Sequence, residues 1–98
     1  MVKGRIAEIL SRMFWGSEDR DEYRIVFVSR GREGDVEVVS GSQIKRVERG
    51  FMVIDTGFEE KHIPFHRVVA VYRAGRLLWK SPRLANRYFY KVEDILDE

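Results

Sequence analysis

The feature that most constrains this chain is its punctuation: from Tyr23 onward, short β-prone runs alternate with turn-forming residues. Tyr23–Ser29 (Tyr-Arg-Ile-Val-Phe-Val-Ser) is rich in β-branched and aromatic residues and reads as a strand. Both of its faces are largely apolar, which places it centrally in a sheet. Arg30-Gly31-Arg32-Glu33-Gly34-Asp35 connects it to Val36–Val39, and Gly41-Ser42 interrupts the chain again. Ile44–Val47 and Phe51–Ile54 flank Glu48-Arg49-Gly50, a short loop whose glycine can supply a positive φ. After Asp55-Thr56-Gly57 comes Lys61–Ile63, stopped at Pro64; then Val68–Tyr72 and Leu77–Trp79 flank Arg73-Ala74-Gly75-Arg76. Runs this short and this closely joined predict an α+β fold built on a curled antiparallel sheet of five to seven short strands.

Helices are expected at the two ends. Ile6, Ile9, Leu10 and Met13 repeat at i, i+3, i+4 and i+7, predicting an amphipathic helix over about Lys3–Phe14 that stops near Gly16. Ser81-Pro82 reads as an N-cap with proline at the first helical position. Leu84, Tyr88, Val92, Ile95 and Leu96 then predict a C-terminal helix over roughly Pro82–Leu96. The whole of 1–98 is expected to be one domain, with 6–80 its core and 82–96 a helical extension, because 98 residues leave no room for a second independent core. The 44% hydrophobic content is enough for that core despite 35% charged residues. No cysteine is present, so disulfides, thiolate metal sites and cysteine nucleophiles are excluded, and a reducing compartment fits. The apolar runs are too short to cross a bilayer, and the N-terminus carries no long apolar segment. The cytoplasm is the expected location, with no membrane association.

Net charge is only +2, but its distribution is uneven. From Lys61 to Lys91 there is no acidic residue, while Lys61, Arg67, Arg73, Arg76, Lys80, Arg83, Arg87 and Lys91 are all basic. Such a segment attracts polyanions. Centring a hairpin on Ala74-Gly75 pairs Arg73 with Arg76, Tyr72 with Leu77, Val71 with Leu78, Ala70 with Trp79 and Val69 with Lys80. That register puts His66, Val68, Ala70, Tyr72, Leu77 and Trp79 on the core side. Arg67 and Lys80 fall on the other side as diagonal neighbours about 7–8 Å apart, a spacing at which two long cations reach one phosphate. Solvated charge that discourages edge-to-edge pairing explains the same residues without a ligand.

Both histidines lie in His62-Ile63-Pro64-Phe65-His66-Arg67. A zinc pair at i and i+4 needs a helix, which Pro64 opposes, so no metal or other cofactor is expected. An acid–base pair across a phosphate is equally awkward, since four extended residues separate the Cα atoms by about 13 Å. No catalytic residue is assigned. His66 with Arg67 as phosphate donors is the stronger pattern, because guanidinium and imidazole both offer N–H groups. In strict alternation the two point apart, so a shared site requires a twist after Pro64. Trp15, Trp79, Tyr72, Tyr88, Phe89 and Tyr90 offer stacking surfaces, although aromatics at such spacings are usually core.

A helix followed by Trp15, then Val28-Ser29-Arg30-Gly31, Arg49-Gly50-Phe51, Ile63-Pro64-Phe65-His66-Arg67-Val68 and Leu78-Trp79-Lys80, in that order, resembles the family of RNA cyclic group end recognition domains. The likeness spans about Ile6–Lys80. It implies an RNA-binding module that recognises phosphorylated or 2′,3′-cyclic-phosphate RNA ends, with RNA and RNA-processing enzymes as partners. It also implies that Arg30, His66, Arg67, Trp79 and Lys80 form the RNA and phosphate site. His62 falls where the family commonly has an aromatic residue, and Lys80 stands where arginine is frequent. Two other readings stay open: an RNA end-processing phosphodiesterase using His66, and a protein-interaction adaptor.

Overall fold

In the computed structural model, residues 5–16, 19–29 and 36–84 are described. Helix α1 spans Arg5–Trp15, and seven strands follow: β1 Tyr23–Val28, β2 Val36–Ser40, β3 Ile44–Val47, β4 Phe51–Asp55, β5 Glu60–Pro64, β6 Val68–Arg73 and β7 Arg76–Lys80. The expected single curled sheet is instead two sheets, ordered β2-β1-β6-β7 and β3-β4-β5, with every pair antiparallel. The division falls at a 3₁₀ turn, Gly41–Gln43, between β2 and β3. Ser40 caps this turn through a capping box closed by Gln43, so the chain leaves one sheet and enters the other within a few residues.

Gly41 permits that corner. A Cβ there would lie 2.5 Å from the Arg20 carbonyl oxygen, 2.9 Å from Met13 Sδ and 3.0 Å from Tyr23 Cβ. Because one obstacle is backbone, Gly41→Ala is expected to destabilise the fold by about 1–3 kcal/mol, measurable as a lower midpoint in urea denaturation.

The helix buries Ile6, Leu10 and Met13, three of the four apolar positions that its spacing marks out. They meet Tyr23, Ile25 and Phe27 of β1, Val68 and Val71 of β6, and Ile44, Met52, Ile54 and Ile63 of the smaller sheet. Arg20 adds a tie between the sheets, donating to the Ile44 carbonyl at 3.1 Å while its guanidinium lies 4.9 Å from the Phe14 ring centroid. β1 is central, as its two apolar faces require: Val26 on the opposite face joins a second cluster with Val36, Val69 and Ala70.

Two β-bulges set which side chains reach which face. Val26 pairs with Ala70 but Phe27 with Val68, leaving Val69 as the extra residue. Val68 and Val71 therefore face the main core, while Val69, Ala70 and Tyr72 serve the second cluster. The expected core side of the last hairpin is corrected accordingly: Val68 and Trp79 belong to the main core, Ala70 and Tyr72 to the other. Ala74 and Gly75 both have positive φ, 50° and 84°, as a two-residue I′-like turn demands. Ser81 Oγ accepts from the Leu84 N–H at 3.1 Å, the contact expected of an N-cap; beyond Leu84 the expected C-terminal helix lies outside the described residues. Among the described residues no helix is long and apolar enough to cross a membrane.

Candidate functional site

Pro64 ends β5 in extended geometry, and the chain then makes a 3₁₀ turn at Phe65–Arg67 before entering β6. Phe65 N–H donates to the Gly50 carbonyl at 3.0 Å, which pins this turn to the β3–β4 connection. A 3₁₀ turn rotates the chain by about 120° per residue, so neighbouring side chains diverge. The twist that a shared His66–Arg67 site requires is thus present, but it separates the two. His66 is exposed and lines a hollow of about 760 Å³ with Ser11, Arg49 and Phe65. Arg67, half-buried, lines a smaller one of about 240 Å³ with Phe27, Ser29, Lys61, His62 and Ile63.

This smaller hollow opens where the end of β1 meets β5. Alternation along β5 puts Lys61 on the same face as buried Ile63, and both line the hollow. Ser29 follows β1 and is buried; its hydroxyl donates to Glu37 Oε2 at 2.6 Å. Glu37 pairs across the sheet with Phe27, and the same carboxylate oxygen lies 3.9 Å from Lys61 Nζ. Two cations and one carboxylate therefore meet around a space lined by residues from β1, β5 and the 3₁₀ turn. The exposed His62 ring stands 5.4 Å from that of Phe51, tilted by 38°.

The remaining expected site residues lie elsewhere. Arg30 follows Ser29 in the chain and is outside the described residues. In the β6–β7 hairpin, Arg73↔Arg76 and Tyr72↔Leu77 pair as expected, but Leu78 bulges, so Val71 faces Trp79 and Ala70 faces Lys80. The expected pairs Val71–Leu78, Ala70–Trp79 and Val69–Lys80 are corrected by this one-residue shift. Arg67 belongs to the turn rather than to β6, so its diagonal relation to Lys80 also disappears. Lys80 is exposed on β7, and Trp79 is half-buried against the main core. The Arg73–Arg76 repulsion is relieved on one side: Arg73 Nε lies 3.2 Å from Glu22 Oε1, and its guanidinium 5.6 Å from the Tyr23 ring.

On the smaller sheet, the Lys45 ammonium donates to Glu60 at 2.9 Å. That hydrogen bond, with the attraction between the charges, holds Lys45 above its ordinary value and Glu60 below its own. The pair is exposed and open to screening by salt. Among the described residues no group of three or more His, Cys, Asp or Glu is placed to hold a metal ion.

The sequence assigns Arg67 to the site but not Lys61, Ser29 or Arg49, although it marks Lys61 as basic and Ser29 and Arg49 as part of the family-like pattern, and it gives no sign of Glu37. Lys61 was visible as the first cation of the acid-free segment, two positions before an apolar strand residue. Glu37 was not, because its place depends on the β1–β2 register.

A family model described as the MJ1316 RNA cyclic group end recognition domain matches residues 4–81. UPF0248 protein MK0350 of Methanopyrus kandleri is 36% identical over 69 residues, covering 70% of this chain and 88% of the relative. A UPF0248 protein of Thermococcus sibiricus is 30% identical over 90 residues, covering 90% and 98%, and UPF0248 protein PF1300 of Pyrococcus furiosus is 32% identical over 83 residues, covering 83% and 93%. No solved structure matches the chain.

Proposed function

Because the chain belongs to the MJ1316 RNA cyclic group end recognition domain family, we propose that it is an RNA-binding module that holds a phosphorylated 3′ terminus, above all a 2′,3′-cyclic phosphate, in the hollow beside Arg67. The observation that carries this reading is the meeting of Arg67 and Lys61 at one small opening. Arginine's planar fork can take two phosphate oxygens at once, and the lysine adds a point charge at the same opening. Arg30, next in sequence to Ser29, joins the same assignment by its place in the chain. The larger hollow bearing His66, Arg49 and Phe65 lies on the other side of the 3₁₀ turn and offers a cation and an aromatic face to the sugar and base. Lys80 adds positive potential from β7, and Trp79 holds that strand on the core.

The test is a binding series with one oligoribonucleotide carrying a 3′ hydroxyl, a linear 3′ phosphate or a 2′,3′-cyclic phosphate. Phosphorylated ends are expected to bind about tenfold tighter than the hydroxyl end, the worth of one charge-assisted contact. Affinity is expected to fall with rising salt, with a log–log slope of about −0.7 for each phosphate engaged. Equal affinity for all three ends removes end recognition and leaves general RNA binding. Opening of the cyclic ring during incubation, lost in His66→Ala, favours the phosphodiesterase reading instead.

A further inference from the structure

A hollow that merely attracts anions binds the more highly charged terminus best. A linear phosphomonoester carries about 1.5 to 2 negative charges near neutral pH, whereas a cyclic phosphodiester has only one ionised oxygen. Lys61 and Arg67 alone would therefore favour the linear end, opposite to the family's description. Glu37 changes that balance. Its side chain is 17% exposed, it accepts a hydrogen bond from the Ser29 hydroxyl at 2.6 Å, and it lies 3.9 Å from Lys61 Nζ. Both of those partners line the hollow, and Glu37 shares its face of the sheet with Phe27, a third lining residue.

We propose that Glu37 determines specificity for the end, admitting a singly charged cyclic phosphate and rejecting the second charge of a linear monophosphate. The inference rests on the placement of the terminus at this hollow. Coulomb terms scale with the charge of the ligand, so the carboxylate cancels about half of the extra attraction that two cations offer a dianion, and the dianion's larger cost of leaving water then tips the balance to the monoanion. It also fixes Ser29 as a donor toward itself, which turns the hydroxyl's lone pairs toward the opening and leaves Lys61 and Arg67 as the phosphate's donors. Glu37 and Ser29 thus select, and the two cations hold.

The experiment compares the wild-type protein with Glu37→Gln against the three RNA ends. The amide keeps the shape and still accepts from Ser29. Wild type is expected to prefer the cyclic end to the linear one. In Glu37→Gln both phosphorylated ends bind more tightly, the linear one gaining more, so that the preference shrinks about tenfold. A second measurement needs no variant. Lowering the pH from about 7.5 to about 5.5 takes the linear end through its second ionisation, near pH 6, and should narrow the wild-type preference. The cyclic end, which keeps one charge throughout, is measured at each pH as the reference; the protein's own charged and titratable groups at the site are Glu37 from β2, Lys61 and His62 from β5, and Arg67 from the turn. A wild type that binds the linear end as tightly as the cyclic one, or a preference unmoved by Glu37→Gln, overturns the role of Glu37. If the cyclic end fails to exceed the hydroxyl end, the placement on which the inference rests is overturned instead. Should the variant not fold, Glu37→Ala is read against the same three ends, with the same shrinkage of the preference expected.

Discussion

Arg67→Ala is expected to weaken binding of cyclic-phosphate RNA by about 10- to 100-fold while changing affinity for the hydroxyl-ended strand less than about threefold. The size follows from what is lost. A guanidinium–phosphate contact is charge-assisted and bidentate, and at a half-buried position water screens it less than at an open surface. Arg67→Lys keeps the charge and loses the fork, so it should fall between wild type and alanine. The pattern across ends matters more than the size. A cation acting only through general attraction lowers all three affinities together. Lys80→Ala provides that comparison: Lys80 faces Ala70 on β7, away from the residues around Arg67's hollow, and its loss is expected to cost every end about equally and less than about threefold. Fluorescence anisotropy titrations at one fixed salt concentration read all of these differences, with circular dichroism confirming that each variant is folded.

The contrast between Arg67 and Lys80 also marks where the sequence stops being legible. Glycines and turn dipeptides locate the strands to within one or two residues, and the apolar faces of Tyr23–Ser29 identify the central strand. Phase is harder. Val68-Val69-Ala70-Val71 is apolar throughout, so nothing in it betrays the bulge at Val69. Leu77-Leu78-Trp79 hides the bulge at Leu78 in the same way. Each bulge inserts a single residue and reverses the face of those beyond it, which is how an expected Arg67–Lys80 pair came apart. The 3₁₀ turn at Phe65–Arg67 has a similar effect at shorter range: Pro64 signals a change of direction but not its angle, and that angle sends His66 and Arg67 to separate hollows. The cations were recognisable because an acid-free stretch of thirty-odd residues is conspicuous in any charge plot. Their carboxylate neighbour was not, since Glu37 reaches them only through the pairing of β1 with β2. Long-range register, more than local propensity, separates the charges one can count from the site they form.

Leu10→Ala should lower stability by about 2–5 kcal/mol, a large part of the roughly 5–15 kcal/mol available to a natural domain. Leu10 is fully buried, and with Ile6 and Met13 it forms the stripe by which α1 covers the main core shared by both sheets. Truncation removes apolar contact and leaves a cavity that strands held in two ladders cannot readily collapse to fill. In a chain of this size each kcal/mol moves the thermal midpoint by about 4–8 °C, so a drop of about 10 °C or more is expected in a melting experiment. Trp15→Ala, on the same helix but 76% exposed, should shift the midpoint by no more than a few degrees. The pair of variants also tests how stability and recognition are divided. None of the residues around the Arg67 hollow comes from α1; they come from β1, from β5 and from the segments that directly follow these strands. At a temperature where Leu10→Ala is still folded, its ratio of affinities for cyclic and hydroxyl ends should therefore match wild type. A ratio that collapses along with stability would mean that the helix shapes the anion site through the core, and that the hollow is not the self-contained unit its lining implies.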